Sequence, residues 1–171
     1  SVCSYLTIIM FEPHSIYSMR LAKKGELITH HKDKAVLTLM NMDSIVETDF
    51  LTVRPDMDLG EMVKIISKSF RNQFPVVDVG GELIGMVVLD DIRNIIFRQE
   101  LYHRFHVEGF MKVPKTRIVN TDSMEEVMEK FDTTGAWNLP VVDREGKYIG
   151  MVSKSKMLNT YRQVMVDFSE E

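Results

Sequence analysis

The feature that most limits what this chain can fold into is an ungapped internal repeat. Residues 73–88 read QFPVVDVGGELIGMVV, and residues 138–153, 65 positions later, read NLPVVDREGKYIGMVS. Pro75-Val76-Val77-Asp78 recurs as Pro140-Val141-Val142-Asp143, Gly81 as Gly146, Ile84-Gly85-Met86-Val87 as Ile149-Gly150-Met151-Val152, and Asn94 as Asn159. A fixed period means that one supersecondary unit is used twice. Each copy reads as strand, turn, strand: short β-branched apolar runs flank a Gly-containing turn over 78–82 or 143–146. Pro75 and Pro140 are expected at strand starts, where a missing N–H does least harm.

The flanks of the two copies match as well. Asp58 and Glu61 form a D-x-x-E helix start, followed by Leu59, Met62, Val63, Ile66 and Phe70 at helical spacing. Ser123 and Glu126 form the second capping box, with Met124, Val127, Met128 and Phe131 on one face and Gly135 as the stop. Short strands are expected at 51–53 and 117–119, and further helices over about 90–104 and 154–166. Each half is thus β-α-β-β-α, an α+β unit. About 60 residues make a marginal core alone, so the two halves are expected to pack on each other.

This pattern resembles the CBS (cystathionine-β-synthase) domain, which sets h-P-V-V-D before a Gly turn and h-h-G-h-h after it. The resemblance covers roughly residues 45–165. It implies two CBS folds as a pseudo-twofold pair, a Bateman module, behind a helical linker, with domains at 45–106 and 107–171 after an entry segment of 1–44. It further implies a cleft for an adenosine-containing ligand (ATP, ADP or AMP), a homodimer, and a regulatory role attached to a transporter or enzyme. The chain itself is not expected to be an enzyme.

The segment 11–27, beginning Phe11-Glu12-Pro13-His14-Ser15-Ile16-Tyr17, is similar to the end of the last membrane helix of bacterial CLC chloride channels and antiporters. That resemblance places Tyr17 at the chloride-coordinating tyrosine. It also implies a cytoplasmic tail at the inner membrane, partnered by the membrane domain of its own parent. Without the family, Pro13 opens a helix, Gly25 ends it, and Tyr17 with Leu21 is an apolar i, i+4 pair. No run of residues is long and apolar enough to span a bilayer, and a chain starting in mid-pattern reads as part of a longer one.

For the ligand site, the family uses a G-h-h-[ST]-x-x-D run: the carboxylate takes a ribose diol, and the hydroxyl and helix start take phosphate. Each copy here keeps half of it. In the first, Asp91 is present but Val88 replaces the hydroxyl residue. In the second, Ser153 is present but Lys156 replaces the aspartate. The first therefore suits a ribose, and the second, with Ser153, Lys154 and Lys156, an isolated anion. Phe74 and Trp137 precede the two P-V-V-D runs and either wall an adenine slot or belong to the core or interface. Structural accounts stand beside these: Asp90 and Asp91 favour a helix start whatever binds, Ser153 is a natural cap, and the lysines suit a solvated face.

Composition narrows the rest. Lys and Arg number 21 against 25 Asp and Glu, for a net charge of −4 with no basic block, so nucleic acid is not an expected partner. Cys3 is the one cysteine and cannot form an internal disulfide. His103, His106 and the pair His30-His31 lack companion ligands for a metal set. Motifs for a nucleophile, a P-loop or a dinucleotide fold do not occur. Two rival readings remain: the regulatory pair of a purine-synthesis dehydrogenase, and a dimerisation scaffold without ligand.

Overall fold

The computed structural model describes residues 34–169. A helical segment over 34–39 leads into α1 (Met42–Ile45) and β1 (Val46–Glu47). The first half continues with α2 (Leu59–Ile66), the hairpin β2 (Gln73–Val77) and β3 (Leu83–Val88), α3 (Leu89–Ile92) and a 3-10 turn (Gln99–Leu101). The second half runs α4 (Val107–Phe110), β4 (Ile118–Val119), α5 (Met124–Thr134), β5 (Asn138–Val142), β6 (Tyr148–Ser153) and α6 (Lys154–Ser169). Among the described residues no helix is long and apolar enough to cross a membrane.

Local signals form the elements they predict. Asp58 and Ser123 each accept from the backbone N–H three residues on, and Glu61 and Glu126 reach back to close both capping boxes. Gly135 ends α5 at φ 64°, a left-handed geometry that favours glycine. In the turns, Asp78 Oδ1 accepts from Gly80 and Glu82 N–H, both at 2.8 Å, and Asp143 Oδ1 accepts from Glu145 and Lys147 N–H, both at 2.9 Å. These Asp side chains replace backbone partners in the turn. Gly81 and Gly146 follow at φ 83° and 88°.

The sheets reveal an exchange between the halves. One sheet has the order β1-β6-β5-β4, and β2-β3 form the other. β1 opens the first half yet pairs with β6 of the second, Glu47 lying opposite Met151. Lys112, near the start of the second half, pairs with Met86 of the first, the same register 65 residues apart. Likewise Val53 bridges Val76 in parallel as Ile118 pairs Val141. The turns meet reciprocally: Leu83 N–H donates to Gly146 O at 3.0 Å, and Tyr148 N–H to Gly81 O at 2.9 Å. The repeated segments thus occupy equivalent environments about an approximate twofold.

Each half has its own apolar centre. Val53, Met62, Phe74, Val76, Val87, Ile92 and Val107 form the first, and Ile118, Val127, Phe131, Val141 and Val152 belong to the second. Phe50, Leu83, Met86, Val142 and Met151 form a third cluster from both halves, which joins them. At about 25 cal/mol per Å² of apolar surface removed from water, this shared cluster supplies what either small half lacks.

Four expectations need correction. The helix over 90–104 stops at Ile92 and gives way to i→i−3 turns, with Ile95 N–H on Ile92 O and Arg98 N–H on Ile95 O. The Tyr102 hydroxyl donates to the Ile96 carbonyl at 2.8 Å, satisfying a group that a continuing helix would have bonded itself. Phe70 is fully exposed beyond the end of α2, not on its apolar face. Leu51 and Thr52 form no strand, and only Val53 pairs. Pro75 and Pro140 stand two residues inside their strands, Pro75 still accepting at its carbonyl from Val53 N–H at 2.9 Å.

Candidate functional site

The two hairpins face each other across a cavity of about 150 Å³. Gln73, Met86 and Val88 line it from the first half, and Pro114, Lys115 and Thr116 from the segment entering the second. Thr134, Ala136, Asn138, Leu139 and Pro140 complete it from the end of α5 and the start of β5. The walls are mostly apolar, with side-chain amides, hydroxyls and one ammonium among them. That composition suits a small heterocycle with a polar edge. Larger hollows of about 550 and 440 Å³ lie beside 37–42 and along α5; the second adjoins the cavity through Lys115, Thr116 and Thr134, and neither is lined by the hairpins.

Of the residues singled out in the sequence, only Val88 lines the cavity. Asp91 sits in the first turn of α3, its carboxylate 2.8 Å from Lys112 Nζ. Lys112 lies two residues before the lining residue Pro114 and its backbone pairs with that of the lining residue Met86, which puts this ion pair beside the cavity. Both side chains are substantially exposed, and a pair of that kind contributes about 0–1 kcal/mol. Phe74 is 0% exposed in the first core, which takes it out of any slot. Trp137 is 74% exposed and its carbonyl accepts from Lys154 N–H at 2.8 Å; it sits between two lining residues without being one.

The second half's anion set is engaged within the protein. Ser153 Oγ accepts from Lys156 N–H at 3.1 Å, the capping role, and Lys154 Nζ reaches Asp132 at 3.3 Å. Lys156 is exposed. The segment 11–27 with Tyr17 lies outside the described residues, as do Cys3 and the pair His30-His31. His103 Nδ1 lies 2.8 Å from Asp58 Oδ2. Among the described residues no group of three or more His, Cys, Asp or Glu side chains is placed to hold a metal.

Sequence reasoning missed Arg71. Its guanidinium donates to Asp49 from Nε at 3.0 Å and from Nη2 at 2.9 Å, and to Glu47 Oε1 at 2.8 Å. Its Cζ is 4.5 Å from the centre of the Phe50 ring, a cation–π arrangement. Nearby, Glu47 Oε2 and the Tyr148 hydroxyl are buried without a hydrogen-bond partner. Each such atom costs about 1–3 kcal/mol. Burial, with the Asp49 charge added, holds the Tyr148 phenol well above its ordinary value. The signal was present: counting 65 residues on from Asp49, Phe50 and Arg71 gives Pro114, Lys115 and Ala136, unlike residues at matched positions of a repeat.

The exchanged strands, paired hairpins and shared cleft define a tandem two-domain module. The CBS domain family model matches residues 42–98 and 107–162, and the chain belongs to that family. A CBS domain-containing protein of Dictyostelium discoideum is 26% identical over 131 residues, 71% of this chain and 90% of that one. The inosine-5'-monophosphate dehydrogenase of Methanocaldococcus jannaschii is 24% identical over 148 residues, 82% of this chain but 29% of the enzyme. Among solved structures, CbpB in complex with c-di-AMP has a TM-score of 0.66 at 14% identity, over 82% of this chain and 96% of that one. CBSX2 in complex with AMP has a TM-score of 0.59 at 20% identity, over 72% and 96%. At those identities the structures show the shared fold alone.

Proposed function

We propose that this CBS pair is a regulatory module that senses an adenosine-containing ligand, ATP, ADP or AMP, at the cleft between its halves. The observation carrying the reading is the cavity lined from both hairpins, with Asp91 paired to Lys112 beside it. A purine ring fits between Met86, Val88 and the Pro114–Ala136 side, its polar edge meeting Gln73 or Asn138. Asp91 would exchange its weak Lys112 pair for the two hydroxyls of a ribose, and Lys112 and Lys115 would then face phosphate. CbpB and CBSX2, crystallised with c-di-AMP and AMP, support the ligand class. Because the ligand touches both halves, it acts by its differential affinity for two arrangements of them. Homodimerisation is part of this reading.

The test is calorimetric titration of the chain with ATP, ADP and AMP. Heat that disappears in Asp91→Ala supports the sensor. Absence of heat for all three at millimolar concentration refutes it and leaves the ligand-free scaffold.

For the host, we infer a CLC-type chloride channel or antiporter, with this pair as its tail on the cytoplasmic face of the inner membrane. The resemblance of 11–27 and Tyr17 supports this. The dehydrogenase relatives favour a second host, a purine-synthesis enzyme. The coding sequence upstream of Ser1 decides between them: membrane helices for the first, a catalytic barrel for the second.

A further inference from the structure

The approximate twofold makes two clefts equivalent in backbone, but their side chains differ sharply. In the open cleft Pro114, Lys115 and Ala136 line the space. Their counterparts Asp49, Phe50 and Arg71 are joined to one another: Arg71 is clamped by Asp49 and Glu47 and lies over Phe50. Phe50 is 6% exposed, packed in the shared cluster with Leu83 and Met151. Where one cleft has the methyl of Ala136, the other has a guanidinium fixed by hydrogen bonds to two carboxylates and by a ring.

The floors of the clefts differ in the same sense. Met86 lines the open cavity at 8% exposure, while its counterpart Met151 is at 0%. Glu47 Oε2 and the Tyr148 hydroxyl are also shut off from solvent on that side. A fork-shaped guanidinium holding carboxylates is well suited to such a closure, because it bonds two partners at fixed angles.

We propose that the pair carries one ligand site and not two: the first cleft is open, and Arg71, held by Glu47 and Asp49 against Phe50, closes the second. The closure is a property of these residues alone. Its consequence, one ligand per chain, rests on the regulatory reading above. The charges agree with that consequence. Displacing Arg71 would leave Glu47 and Asp49 facing an incoming phosphate, whereas the open cleft offers Lys115.

The native chain tests this without any ligand. Brief exposure to hydrogen peroxide, with sulfoxide at each methionine measured by mass spectrometry, reads access to the two floors. Met86 is expected to oxidise several-fold faster than Met151. Arg71→Ala should raise the Met151 rate towards that of Met86 and leave Met86 unchanged. Arg71→Lys, which keeps charge but loses the fork, should raise it less. Equal rates at Met86 and Met151 in the native chain overturn the proposal, whether or not the variants fold. With AMP at 1 mM (a saturating choice, of order a thousand-fold over a micromolar site), protection of Met86 alone and a calorimetric stoichiometry of one per chain support it. Protection of both, or two ligands per chain, overturns it. If AMP protects neither, the nucleotide reading fails, while the ligand-free difference between Met86 and Met151 still decides the closure.

Discussion

Substitution of Gly150 by alanine probes the exchanged strand directly. Gly150 lies in β6, opposite Val141, with β1 on its other side. A Cβ there would sit 2.7 Å from the Glu47 carbonyl oxygen and 2.7 Å from Val46 Cγ1. Ordinary contact begins near 3.4 Å, so β1 must retreat by 3.4 − 2.7 = 0.7 Å. β1 is two residues long and also carries Glu47 to Arg71, so retreat strains both its pairing and that ion pair. At the matched position, Gly85, the obstacle is Met111 Sδ at 2.7 Å, the flexible end of a side chain that can swing aside. Overpacking against backbone costs about 2–3 kcal/mol, against under about 1 kcal/mol where a thioether gives way. Urea unfolding followed by circular dichroism is expected to show Gly150→Ala as the weaker chain with an unchanged slope, and thermal unfolding should show its midpoint temperature lowered by roughly 4–12 °C. If Gly150→Ala is no more costly than Gly85→Ala, β1 does not pack on β6 as described, and the exchange between the halves is wrong.

Phe74→Ala should cost about 3–5 kcal/mol in the same assay, because it empties the first core, whereas exposed Trp137→Ala should stay within about 0.5 kcal/mol. Ser123→Ala removes the α5 cap and should cost about 1 kcal/mol. The Asp58 carboxyl is held below its ordinary value by the Glu61 N–H and then by His103. Its folded value is depressed, so its contribution is present above the unfolded value of 3.8 and is lost as pH falls through the lower folded one. Asp58→Asn, which keeps the capping oxygen but does not titrate, should therefore flatten the acid limb of the urea midpoint plotted against pH below about 4; an unchanged limb refutes that role.

What the sequence made legible was local. The Asp-Gly turns and both capping boxes depend on residues within four positions of each other and formed as read, while the hairpin strands extend two residues ahead of Pro75 and Pro140. The misses depend on distant partners. Nothing in Val46-Glu47 announces a strand, because its partners are Val152 and Met151 in the other half. The periodic run after Asp90 reads as a helix until Tyr102 captures the Ile96 carbonyl and the chain returns to place Phe105 O on Leu59 N–H. Phe74 and Trp137 looked alike in sequence, each preceding a P-V-V-D run by one or three residues. Strand alternation separates them, since Phe74 points into the first core and Trp137 precedes β5 altogether.

The split ligand motif acquires a physical meaning once its partners are visible. Asp91 of the first half pairs with Lys112 of the second, and 65 residues away the matched positions are Lys156 and Glu47, the same two charges exchanged. The matched positions do not reproduce the pair: Glu47 is held by Arg71 instead, and Lys156 is exposed. Recognition differs as well. A carboxylate at the helix start accepts two hydrogen bonds from a diol, and an ammonium there accepts none. In the second half Glu47 Oε1 turns to Arg71 at 2.8 Å. One exchange of charge and one arginine in place of an alanine are therefore enough to keep the duplicated fold while making its two clefts chemically unlike.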